Sequence, residues 1–129
     1  SCSGNHDNNI YNRWWSEQHH GLLESVNAKG DTTFKISIPT NQPLAKQLEG
    51  HLLLVTGDLD NNVHPANTIR VVDALIKANK RFDMLIIPGE RHGYQSTNEY
   101  FFWKMADHFC RYLIGDWETS TNITQMFND

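Results

Sequence analysis

A chain of 129 residues that is 39% hydrophobic, 20% charged and 11% aromatic has the composition of one folded domain and not of a disordered segment. Its formal charge of −4 and eleven scattered Lys and Arg supply no clustered basic field, so nucleic acid is not an expected partner. The longest apolar run, residues 52–55, is far shorter than the roughly 20 residues of a membrane helix, and no membrane segment is expected.

Residues 1–33 are rich in Asn, Ser, Gly and His and contain the aromatic patch Tyr11, Trp14 and Trp15, a composition that reads as functional loop with one short helix near residues 13–20. Phe34, Ile36 and Ile38 alternate with Lys35 and Ser37 at a strand period that Pro39 ends. Residues 43–49 fit two turns of helix, with Pro43 at the first helical position.

The second half is more regular. Leu52, Leu53, Leu54 and Val55 form a continuous apolar run ended by Gly57, the pattern of a parallel strand buried on both faces. Ile69, Val72, Leu75 and Ile76 make one stripe within a helix predicted over 65–80, opened by Pro65 and closed by Lys77 and Lys80. A second apolar run at 82–87 stops at Pro88 and Gly89. Ser96 followed by Glu99 then suggests a capping box for a last helix, which should bury Phe101, Phe102, Met105, Phe109 and Leu113 and end at Gly115. The order strand, helix, strand, helix predicts a βαβα unit over 51–115 on a parallel sheet flanked by helices. Residues 116–129 form a tail expected to be partly ordered through Trp117 and Phe127. Cys2 and Cys110 stand far apart and in no metal or redox spacing, which favours two free thiols, Cys110 in a buried helix face, over a disulfide.

In parallel α/β sheets, ligands and catalytic groups collect beyond the carboxyl ends of the strands. Two loops fall there, 57–64 with Asp58, Asp60, Asn61, Asn62 and His64, and 88–94 with Glu90, Arg91 and His92. Taken singly, Asp60 reads as an Asx-turn residue and His92 as a solvated loop histidine. Taken together, an acid on one strand-end loop and a histidine on the next are what a nucleophilic hydrolase uses to orient its general base, and the two readings stand level. The order acid then histidine is that of the α/β-hydrolase triad, whose serine sits upstream on a G-x-S-x-G elbow. None of the eight glycines begins such an elbow. Asp58, Asp60 and Asn62 copy the start of a calcium loop, but Val63 and Ile69 stand where Gly and Glu are needed. His19, His20, His51 and His64 have no zinc spacing, so neither metal nor cofactor is expected.

The run from Leu52 through Thr56-Gly57-Asp58-Leu59-Asp60-Asn61-Asn62-Val63 to His64 resembles the acid loop of the prolyl oligopeptidase family, in its dipeptidyl peptidase IV-like branch. Arg91-His92-Gly93 resembles that family's histidine loop, and Tyr11-Asn12-Arg13-Trp14-Trp15-Ser16-Glu17 is more loosely similar to the aromatic loop that walls its substrate pocket. The resemblance implies a partial α/β-hydrolase fold, the C-terminal half of a catalytic domain, with 1–50 as the substrate-pocket region. It implies Asp60 as triad acid, His92 as general base, Asn62 as a residue that hydrogen-bonds the substrate backbone, Val63 as pocket wall, and Tyr11 and Trp15 as pocket lining. Trp15 departs from a usual tyrosine and Thr56 from a common histidine. The implied activity is that of a serine peptidase releasing dipeptides from peptide substrates, with a periplasmic or secreted location. Acylaminoacyl peptidase or esterase activity, or a catalytically silent interaction domain, are the alternatives. The nucleophile is expected upstream of residue 1, which would leave the isolated chain inactive. It would also leave the strand beginning at His51 with an open edge, from which a homodimer or a swapped assembly is expected.

Overall fold

The computed structural model describes residues 1–118. Helix α1 (Arg13–Glu17) is capped by Asn12, whose side-chain oxygen accepts from the N–H groups of Trp14 and Trp15 at 3.1 and 3.4 Å. Strands β1 (Gly21–Val26) and β2 (Thr32–Ser37) form an antiparallel hairpin, Gly21 facing Ser37 and Val26 facing Thr32. The hairpin corrects the reading of residues 1–33 as loop with a single helix. Its turn is set by Asn27, whose side-chain oxygen accepts from Lys29 and Asp31 N–H, and by Gly30 at a φ of 85°. Residues 43–49 do not make α-helix; a 3₁₀ turn spans Gln42–Gln47 instead.

Strand β3 (Leu53–Gly57), helix α2 (Ala66–Lys77), strand β4 (Asp83–Ile87) and helix α3 (Asn98–Phe109) follow in the expected order. β3 and β4 pair in parallel, with Leu53 opposite Asp83 and Gly57 opposite Ile87. Successive residues of β3 face opposite sides of the sheet. Leu54 packs with Val71 and Leu75 of α2 and with Ala45 of the 3₁₀ turn, whereas Val55 packs with Ile87, Tyr94 and, further out, Phe101 of α3. Burial on both faces is why this strand reads as an unbroken apolar run.

Three expectations are corrected. The β3 edge away from β4 is not open, because residues 1–3 run alongside it: the Ser1 amine donates to the Leu53 carbonyl, Val55 N–H to Ser1, and Ser3 N–H to Val55, at 2.7, 2.9 and 2.9 Å. Ser96 caps no helix. Its hydroxyl is taken by the buried Glu90 carboxylate, and Thr97, at the N-cap of α3, makes no side-chain cap. The apolar stripe expected of the last helix is buried only in part: Phe101 and Met105 are half-buried, while Phe102 and Phe109 of α3 and Leu113 just beyond it stay exposed. Both cysteines are free thiols; Cys2 is exposed, and Cys110 is half-buried in a π-turn over Cys110–Ile114 that ends at Gly115. Trp117 meets Tyr112 edge-on and lies under the Arg111 guanidinium, while Phe127 lies outside the described residues.

Candidate functional site

The loops after β3 and β4 leave the same end of a parallel pair, so they converge although a helix and a strand separate them in sequence. Their approach is close. A Cβ added at Gly57 would stand 2.3 Å from the carbonyl oxygen of Glu90, and Leu59 N–H donates to that same oxygen at 3.0 Å. Only glycine leaves room for this contact.

Asp60 occupies the floor of the junction, its side chain 0% exposed. One carboxylate oxygen accepts from the N–H groups of Asn62 at 3.0 Å and Val63 at 2.9 Å, an Asx turn; the other lies 2.9 Å from His92 Nδ1. The structural and the chemical readings of Asp60 thus describe two oxygens of one side chain. Burial works to raise the Asp60 carboxyl, but hydrogen bonds from His92 and from the two N–H groups outweigh it and hold the group below its ordinary value. An ionised carboxylate only accepts, so Nδ1 carries the imidazole proton and Nε2 is the basic nitrogen. The His92 side chain is 41% exposed, and no other described group hydrogen-bonds Nε2. Asp58, two residues nearer the strand, points elsewhere: it accepts from Gly89 N–H at 2.7 Å and caps the turn after β4.

Tyr11 and Trp15 meet edge to face, ring centroids 5.3 Å apart, and Trp15 stacks on His19 at 3.8 Å. The Tyr11 hydroxyl donates to the Asn62 side-chain oxygen at 2.7 Å, which brings the aromatic segment against the acid loop. Val63 is buried and meets Asp60 through its N–H. Among the described residues, no group of three His, Cys, Asp or Glu side chains is placed to hold a metal ion.

Sequence reasoning passed over Ser3 and Tyr94. The Tyr94 hydroxyl is 2.6 Å from Ser3 Oγ and donates to the Val55 carbonyl at 3.2 Å, while Tyr94 itself sits in the left-handed region at φ 50°. Its place just past the His92-Gly93 pair, on a chain that must turn back under the sheet, was the available signal.

Asp7 is a second buried acid, outside the site. It accepts from Arg70 at 2.6 Å, from Gln42 and from Asn9, binding the N-terminal loop to α2. Burial raises this carboxyl as well, and the hydrogen bonds bring it below its ordinary value. A carboxyl whose folded pKa is depressed contributes stability above its unfolded value, about 3.9, and loses it as pH falls through the folded value. The chain is therefore expected to lose stability below about pH 4. Asp7→Asn should flatten that acid limb when tryptophan fluorescence is followed against pH and urea; an unchanged limb would contradict the linkage.

A parallel sheet with helices on both faces, carrying an acid and a histidine at the carboxyl ends of neighbouring strands, is a partial α/β-hydrolase fold. The chain belongs to the prolyl oligopeptidase family, whose model matches residues 3–115. It superposes on dipeptidyl peptidase 4 of Porphyromonas gingivalis with a TM-score of 0.63 and 28% identity, covering 84% of this chain and 15% of that one. It is also 37% identical over 60 residues to dipeptidyl peptidase family member 1 of Caenorhabditis elegans, covering 46% of this chain and 7% of the relative. The chain thus spans a small part of the proteins it matches.

Proposed function

We propose that this chain supplies the acid and the general base of a Ser-Asp-His triad in a serine peptidase that releases dipeptides from peptide N-termini, with the serine contributed from outside these 129 residues. The observation that carries the reading is the 2.9 Å contact between a buried, ionised Asp60 and His92 Nδ1. In the first step the serine oxygen bonds to the scissile carbonyl carbon as its proton passes to His92 Nε2. The imidazolium so formed is stabilised by Asp60. His92 then returns the proton to the leaving amine as the C–N bond breaks, and water repeats the sequence on the acyl-enzyme. Tyr11 and Trp15 line the pocket for the residue before the cut, Asn62 holds the substrate backbone and Val63 backs the wall. The likeness to dipeptidyl peptidases and the resemblance of the three loops support the dipeptide specificity.

The test compares the pure chain with the complete protein that carries it, on dipeptidyl chromogenic substrates. The complete protein should turn over and the chain alone should not. Turnover by the pure chain that His92→Ala abolishes would overturn the missing-nucleophile assignment.

The chain by itself should associate with further copies. Leu22, Val26, Phe34 and Ile36 on one face of the hairpin, with Phe102 and Phe109 on α3 and Leu113 in the turn after it, leave more apolar surface uncovered than a monomer usually exposes. Light scattering at micromolar concentration should give a mass above one copy, and a clean monomer would contradict the expectation.

A further inference from the structure

We infer that Glu90 is a positioning residue for His92, its main chain fixing the histidine loop to the acid loop and its side chain closing the histidine loop behind the imidazole. The inference rests on the triad reading and adds to it the group that sets the register between the two halves of the pair.

Glu90 lies two residues before His92, is 5% exposed, and has no cation paired with it among the described residues. A buried carboxylate without a cation is stable only when hydrogen bonds replace the lost water. Here the donors are two hydroxyls from beyond the histidine: Ser96 Oγ, in a short contact, and Thr97 Oγ1 at 3.1 Å, both on the same carboxylate oxygen. These bonds, the Ser96 contact foremost, hold the carboxyl below its ordinary value. It stays an acceptor. The segment 91–95, with His92 near its middle, is thereby closed into a loop whose two ends meet at one side chain.

The main chain of Glu90 ties that loop to the other half of the site. Its carbonyl accepts from Leu59 N–H, the residue before Asp60, at 3.0 Å, and rests against Gly57 where no side chain intervenes. Its own N–H donates to the Ile87 carbonyl at 3.4 Å, at the end of β4. Glu90 therefore touches the acid loop, the strand end and the far end of the histidine loop. Ser96 could instead have capped α3, whose N-terminus makes no side-chain cap. Its use on Glu90 shows which demand prevails.

The test uses the ¹⁵N-labelled chain and follows solvent exchange of the His92 Nδ1 proton by NMR. Glu90→Ala and the pair Ser96→Ala with Thr97→Val break the closure from opposite sides, and each should speed that exchange about tenfold. Glu90→Gln, whose amide oxygen can accept both hydroxyls, should restore it. Amide protection in β3 and β4 should hold in all of them, which a merely structural role would not predict. Exchange within twofold of the parent in both closure-breaking variants, or a rise that only tracks loss of strand protection, overturns the inference. Should Glu90→Ala fail to fold, the Ser96 and Thr97 pair decides alone. Asp60→Asn is the separate check on the triad reading: a Nδ1 proton that survives it unchanged would sink that reading whatever Glu90 does.

Discussion

If the triad proposal holds, Asp60→Asn in the complete protein that carries this chain is expected to lower kcat by about 10⁴-fold while KM stays within a few fold. The reason lies in what the two carboxylate oxygens hold. One accepts from the N–H groups of Asn62 and Val63, which are donors and cannot turn away. An asparagine must give its oxygen to those two groups, because its NH₂ there would meet two donors head on. The NH₂ is then left facing His92 Nδ1, which must accept. The proton moves to Nε2, and the nitrogen that would receive the serine proton in the proposed triad already carries one. The fold should hardly notice, since the Asx turn is kept. Asp58→Asn is the matched control: its oxygen accepts from Gly89 N–H alone, an amide can do the same, and kcat should change by no more than about threefold. Steady-state rates of the two variants on a dipeptidyl substrate decide the matter. A loss below tenfold for Asp60→Asn, or an equal loss for Asp58→Asn, would show that Asp60 does not set the tautomer.

The parts legible in the sequence were those where one local pattern and the tertiary environment agree. β3 reads as a buried strand because Leu54 and Val55 meet different layers. The span of α2 was legible but its buried face only in part: of Ile69, Val72, Leu75 and Ile76, Leu75 is buried with Val71 against Leu54, Val72 is half-buried, and Ile69 and Ile76 are exposed. Placing Asp60 and His92 on loops at one end of a parallel pair followed from that framework alone. The hairpin was half missed because Leu22, Leu23 and Glu24 break alternation and no layer buries either face; its existence depends on pairing with β2. The capping box at Ser96 and Glu99 was a sound local signal that lost to a stronger tertiary one, the buried carboxylate of Glu90. Ser3 carries no local signal, and Tyr94 only its place just past His92-Gly93. Their hydrogen bond joins residues that only the folded sheet brings together.

Gly57→Ala should be the most damaging single methyl added to this chain, destabilising it by about 3 kcal/mol and separating Asp60 from His92. Its Cβ would lie 2.3 Å from the Glu90 oxygen, 2.7 Å from the Glu90 carbonyl carbon and 2.8 Å from the Arg91 oxygen. All three are main-chain atoms, so no rotamer change relieves the overlap, and either the end of β3 or the start of the histidine loop has to move. Moving apart costs the Leu59 N–H to Glu90 carbonyl bond, which lies one residue from the acid. Gly89→Ala separates this effect from backbone preference. Gly89 has a φ of 78° with nothing within 4 Å of an added Cβ, so its substitution meets conformational strain but no clash, about 1 kcal/mol. Urea midpoints should therefore fall much further for Gly57→Ala than for Gly89→Ala, and the His92 Nδ1 proton should exchange faster in the first variant beyond what its lost stability explains. Equal midpoints would mean that the two loops can part at Gly57 without cost, and that the close approach of Glu90 to β3 is not what holds the acid against the histidine.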